Sequence, residues 1–144
     1  MRILAFLLLI VPAVAIAGQG TAPCTPVVET GWVRMAPGMP MGAAFAVVRN
    51  PCRVQAEIVS AGSPAFADVS LHETRIENGM SRMRAVPRVV LPAGGTVELK
   101  PGGLHVMLMQ PRGQVRQGSR VRLEFVLADG RRVFADVPVR ATAP

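Results

Sequence analysis

The chain has 144 residues, half of them hydrophobic, and a formal net charge of +7 at pH 7. That length builds one ordinary domain with a real core and excludes two. One Trp, no Tyr and five Phe leave too few stacking surfaces for a single-strand nucleic-acid binder, and the basic residues, scattered from Arg34 to Arg140, read as a solvated surface.

The first residues read as an export signal. Met1-Arg2 supplies a positive start, Ile3 to Val11 is uninterrupted apolar sequence, and Ala15-Ile16-Ala17 offers a small-x-small cleavage site. The apolar run falls short of the ~20 residues a membrane-spanning helix needs. Cleavage after Ala17 is expected, leaving a mature chain from Gly18 to Pro144. Export places Cys24 and Cys52 in an oxidising compartment, where a disulfide between them is the expected state. Two Cys with no C-x-x-C pattern cannot complete a thiolate zinc site.

Residues 18–26 form a leader, 27–140 a single domain and 141–144 a short tail. Val27 to Arg34 reads as a first strand, with Trp32 a core residue. Met35 to Gly42 holds two Pro and two Gly and is a loop; its three methionines, Met35, Met39 and Met41, either pack under the loop or lie at the rim of a metal site. Ala43 to Arg49 and Arg53 to Ser60 read as strands joined at Asn50-Pro51-Cys52. Val69 to Ile76 and Met80 to Val86 flank Asn78-Gly79, the strongest short hairpin signal there is. A short strand follows between Pro87 and Pro92, and Thr96 to Lys100 is expected to pair with the strand beyond Pro101-Gly102-Gly103. Arg120 to Leu127 alternates cleanly, with Val121, Leu123, Phe125 and Leu127 inward. A strict two-residue turn at Asp129-Gly130 would put Val133, Ala135 and Val137 on the polar face, so one extra turn residue is expected. Seven to nine short strands and no long helical period argue an all-β sandwich or barrel.

Chemistry concentrates in Leu104 to Met109. Side chains alternate along a strand, so His105, Met107 and Met109 share one face, and imidazole with thioether suits Cu(I) far better than Mg²⁺ or Ca²⁺. Met is also the usual filler of core gaps, and a lone strand His is commonly structural. The Asn78-Gly79 hairpin supplies a second pair. A two-residue turn sets Glu77 opposite Met80, Thr74 opposite Met83 and Glu73 opposite Arg84, and places His72 diagonally across from Met83. The same register makes a favourable Glu73–Arg84 pair and opposes Arg75 to Arg82. Met80 then points to the other face, and it and Met109 read as packing residues.

These are the two histidines of the chain, each with a Met on its own face. Ten residues separate His72 from Met83, twenty-one separate Met83 from His105, and one separates His105 from Met107. This spacing, His-x10-Met-x21-His-x-Met, resembles that of the PCuAC-type periplasmic copper chaperones. Leu71-His72-Glu73-Thr74, Met83-Arg84-Ala85-Val86 and Lys100 to Met109 look like that family's segments, and the resemblance runs from about Gly31 to Val139. It implies a cupredoxin-like Greek-key β-sandwich holding one Cu(I) through His72, Met83, His105 and Met107, and no enzymatic activity. It also implies delivery of copper to the copper subunit of cytochrome c oxidase, alongside a Sco-type thioredoxin-fold protein, with the chain monomeric and associated with the membrane only through a partner. Glu73 stands where some members have Met and Leu104 where an aromatic is common. The tail lacks the His/Met-rich extension of some relatives, which argues against a second, Cu(II)-preferring site.

Other classes fit less well. A blue-copper carrier needs a Cys thiolate beside two His, and neither Cys lies near His72 or His105 in sequence. No Ser, Cys or carboxylate forms a hydrolase motif with either His. A periplasmic copper storage or resistance protein would use the same ligands, and a structural secreted sandwich would use none.

Overall fold

The computed structural model describes residues 24–142; the expected signal segment and its cleavage site lie outside them. Ten strands and no helix make up the described chain: β1 (Val27–Arg34), β2 (Met41–Arg49), β3 (Ala56–Gly62), β4 (Phe66–Glu77), β5 (Met80–Ala85), β6 (Val89–Leu91), β7 (Thr96–Leu99), β8 (Leu104–Pro111), β9 (Arg120–Leu127) and β10 (Arg132–Arg140). The all-β, cupredoxin-like sandwich expected from the sequence is the fold observed, with ten strands rather than seven to nine.

One sheet runs β5-β4-β8-β2-β1 and the other β10-β9-β3-β6. A short parallel seam joins them, with Val33 opposite Val139 and Arg34 opposite Arg140. Their facing sides form the core. Val33, Ala44, Val48, Leu71, Val106 and Leu108 come from the first sheet, and Ile58, Leu91, Leu123, Phe125 and Leu127 from the second. Each large apolar side chain so buried contributes about 1.5–3 kcal/mol relative to exposure.

The β9–β10 connection carries the extra residue. Phe125 pairs with Val133 and Leu123 with Ala135, Leu127 N–H donates to Arg131 O, and Gly130 adopts φ 85°. A three-residue loop ending in a left-handed glycine keeps the apolar residues of both strands on the core side.

Several expectations change: β2 already begins at Met41 and β4 at Phe66, and four further differences bear on the packing. Thr96–Leu99 pairs with β2 rather than β8: Leu99 lies opposite Ala46 and Thr96 opposite Arg49, while β8 takes Met41 to Ala44 along the same edge of β2. The two strands therefore lie end to end along β2, with Lys100–Gly103 looped out between them and closed by Gly103 N–H to Lys100 O. β3 begins at Ala56 rather than Arg53. The segment before it is held by the Cys24–Cys52 disulfide and by Asn50, fully buried. The Asn50 side-chain amide donates to Val54 O at 2.9 Å and Leu91 O at 3.1 Å, and its oxygen accepts from Cys52 N–H at 3.1 Å. Trp32 is half-buried on the outer face, and its neighbour Val33 enters the core. Met80 is exposed rather than packed, because it sits at the hairpin tip.

Candidate metal centre

The Asn78-Gly79 hairpin has the expected two-residue register, with Glu77 opposite Met80, Thr74 opposite Met83 and Glu73 opposite Arg84. Asn78 and Gly79 take φ 52° and 76°, the doubly left-handed turn that Asn-Gly accommodates at least cost. The ion pairs differ from the expected Glu73–Arg84. Glu73 pairs with Arg75 at 2.7 Å, and Glu77 takes both Arg84 and Arg82. The opposed Arg75 and Arg82 thus each find a carboxylate, which removes a like-charge conflict.

β4 runs antiparallel to β8, and His72 stands directly opposite His105, with Ser70 opposite Met107. Even positions of β8 point into the core: Val106 is 1% exposed and Leu108 is fully buried. His105, Met107 and Met109 therefore lie on the outer face with His72 and Met83. The two imidazole rings are 6.1 Å apart, and the His105 ring is 6.4 Å from Phe45, itself packed at a tilt against Trp32 at 4.8 Å. Arg34 caps Phe45 from 5.2 Å. This aromatic platform leaves His105 only 6% exposed although it faces outward.

His105 Nδ1 lies 2.9 Å from Gly103 O. A carbonyl only accepts, so Nδ1 carries the proton and the neutral ring's lone pair is on Nε2. That nitrogen faces Met83 Sδ at 3.2 Å, and a thioether has no proton to give. Two Lewis-basic atoms thus converge with no hydrogen of the neutral ring between them, an arrangement a soft cation would satisfy. The carbonyl that fixes the tautomer also accepts from Thr74 N–H at 3.0 Å, so the Lys100–Gly103 turn both ties β8 to β4 and orients His105. Metal-binding imidazoles are commonly oriented through their second nitrogen in this way.

His72 Nε2 lies 3.0 Å from Ser70 Oγ, and its buried Nδ1 has no hydrogen-bond partner. Burial, then the neighbouring His105, lowers its pKa below the ordinary histidine value, against an opposite pull from Asp68. Both effects favour the neutral ring, the form that can offer a lone pair. Met83 is 54% exposed. The structure thus joins His105 and Met83 directly, sets His72 across from His105, and places Met107 one same-face step along β8.

Cys24 and Cys52 are bonded to each other, so neither supplies the thiolate of a blue-copper centre. Among the described residues no group of three or more His, Cys, Asp or Glu converges; the donors this face offers are imidazole and thioether. Ser70, Gly103 O and the Phe45–Trp32 platform were not singled out from the sequence. Ser70 was accessible as the same-face neighbour of His72 two residues back; Phe45 required the β2–β8 register.

The model of the LpqE-like family, described as putative lipoprotein LpqE-like, matches residues 27–139. A putative lipoprotein of Leifsonia xyli is 37% identical over 114 residues, covering 78% of this chain and 68% of its own. An uncharacterized protein of Rickettsia prowazekii is 26% identical over 89 residues, 61% of this chain and 49% of its own. Among solved structures, the Cu(I) form of DR1885 from Deinococcus radiodurans is 28% identical with a TM-score of 0.64, covering 91% of this chain and 87% of that one. The apo PCuAC domain of PmoF1 superposes with a TM-score of 0.65 at 22% identity, over 80% and 92% of the two chains, and shows the shared fold. A family of putative lipoproteins is one of exported, cell-envelope proteins. Sharing its fold with PCuAC domains and matched along the whole sandwich by one family model, the chain belongs to the LpqE-like family.

Proposed function

We propose that this protein is a periplasmic Cu(I) chaperone without enzymatic activity, secreted by cleavage after Ala17. Its single sandwich domain, residues 27–140, binds one Cu(I) as cargo through His72, Met83, His105 and Met107. The observation that carries the reading is the approach of His105 Nε2 to Met83 Sδ at 3.2 Å with the other ring nitrogen committed to Gly103 O. The Cu(I)-bound relative DR1885 supports the choice of ion. Two thioethers and two neutral imidazoles stabilise a soft d¹⁰ ion without adding charge, and they leave the ligand set exchangeable. Thiolates would hold the ion more tightly, and in an oxidising compartment they become disulfides, as Cys24 and Cys52 have.

The cargo goes to the dinuclear copper centre of cytochrome c oxidase, with a Sco-type protein as companion and the chain acting as a monomer. Copper storage is the second reading, on the same ligands. Titration under reductant against a competing Cu(I) chelator tests the site: one equivalent should bind, and His105→Ala should weaken it at least about a hundredfold, more than loss of an orienting partner costs. Undiminished binding in the variant refutes the site. Deletion of the gene should lower oxidase activity at limiting copper and be rescued by added copper; unchanged oxidase activity favours storage.

A further inference from the structure

Met35, Met39 and Met41, which follow β1, are not used by the histidine site, and the fold separates them. Met35 is 4% exposed and belongs to the core, whereas Met41 is 46% exposed at the start of β2. Met41 stands opposite Met109 of β8, and Met109 stands opposite Asp68 of β4. Alternation along β8 puts Met109 on the outer face with Met107 and His105, about 7 Å beyond Met107. Directly opposed residues on antiparallel strands have Cβ atoms about 4.5–5.5 Å apart, close enough for two thioethers to meet on one ion. Core filling accounts for buried Met35; it does not account for a half-exposed Met41 in a row that ends in an exposed carboxylate.

The backbone holds this pair in place. Gln110 adopts φ 55°, and among the described residues Asn78 is the other non-glycine with positive φ. The hairpin turn explains Asn78. Gln110 follows Met109 inside a strand, where a left-handed residue persists only if its surroundings enforce it. Its N–H donates to Pro40 O at 3.0 Å, which ties the residue after Met109 to the residue before Met41.

We infer that Met41 and Met109 form a second, weaker station for a soft monovalent ion, Cu(I) or its analogue Ag(I), from which the ion passes to and from the histidine site by way of Met107. The inference rests on the proposed function for the destination of the ion. Transfer is ligand exchange: one metal–thioether bond forms as another breaks, the metal keeps its oxidation state, and no proton moves. Two thioethers without an imidazole hold the ion more loosely than the mixed set, which suits entry and exit.

Ag(I) titration of the full protein carrying methyl-¹³C methionine tests this. The first equivalent should shift the Met83 and Met107 methyl signals. A second should shift Met41 and Met109 with at least tenfold weaker affinity and leave Met80, exposed at the hairpin tip, unmoved. The Met41→Leu/Met109→Leu double variant, verified as folded by its urea midpoint, should bind one equivalent with unchanged affinity. A second equivalent that leaves Met41 and Met109 unmoved, moves Met80 equally or survives the double substitution overturns the inference. If Met41 and Met109 shift while Met83 and Met107 do not, the histidine site falls and the outer station stands.

Discussion

The β9–β10 and β4–β5 hairpins are both continuous antiparallel ladders, and they end with opposite surfaces. Alternate residues of β9, from Val121 to Leu127, are buried, whereas all six residues of β5 are exposed. β9 lies between β10 and β3, while among the described residues β5 is the edge of its sheet and pairs with β4 alone. The first hairpin closes the core. The second holds Met83 in an element with few buried contacts, the kind that opens at low free-energy cost. Within the candidate centre the same contrast recurs: His105 is 6% exposed on a fixed central strand and Met83 is 54% exposed on the edge. In the proposed carrier that asymmetry would divide the work: the buried imidazole would retain the ion while the exposed thioether would be the first ligand an acceptor replaces.

Substitutions that separate the two hairpins sharpen this contrast. Phe125→Ala in β9 removes a 1%-exposed ring and should cost about 3–5 kcal/mol of stability in urea unfolding, with Cu(I) affinity of the folded protein unchanged. Met83→Leu in β5 should do the reverse. Stability should change by less than about 0.5 kcal/mol, as for other surface sites, while chelator competition shows Cu(I) affinity falling about tenfold or more, equivalent to at least ~1.4 kcal/mol. A Met83→Leu protein with wild-type affinity would mean that the exposed strand contributes no ligand.

The smallest expected effect is on pH. His72 has a folded pKa below its unfolded value because of burial and the neighbouring His105. Between the ordinary value of 6.5 and the lower folded one, the unfolded state binds more protons, so stability rises with pH across that window. The metal-free protein should therefore show a higher urea midpoint at pH 7.5 than at pH 5.5. In His72→Ala that difference should shrink, and an unaltered difference would assign the pH dependence to other groups.

Local patterns read directly from the sequence survive in the fold. Asn78-Gly79 fixed the hairpin register, and the clash between a two-residue turn and the apolar pattern of Val133 to Val137 required the longer β9–β10 loop. Period-two alternation placed His105, Met107 and Met109 on one face. The elements misread are those settled by distant contacts. Pairing of Thr96–Leu99 depends on how much of β2's edge β8 occupies, and the start of β3 depends on Asn50 and the disulfide. The exposure of Trp32 depends on a Phe45 platform assembled from strands far apart in sequence. At the candidate centre the family resemblance named four candidate residues, but Gly103 O, which fixes the His105 tautomer, is a backbone atom and leaves no side-chain signal.

X-ray absorption of the singly loaded Cu(I) protein is the measurement that bears most directly on the proposed centre. Imidazole nitrogen and thioether sulfur together in the first coordination shell, with the sulfur contribution reduced in Met83→Leu and the nitrogen contribution reduced in His105→Ala, is the result the convergence of His105 Nε2 and Met83 Sδ predicts. A shell of oxygen alone, or one unchanged by both substitutions, would contradict it.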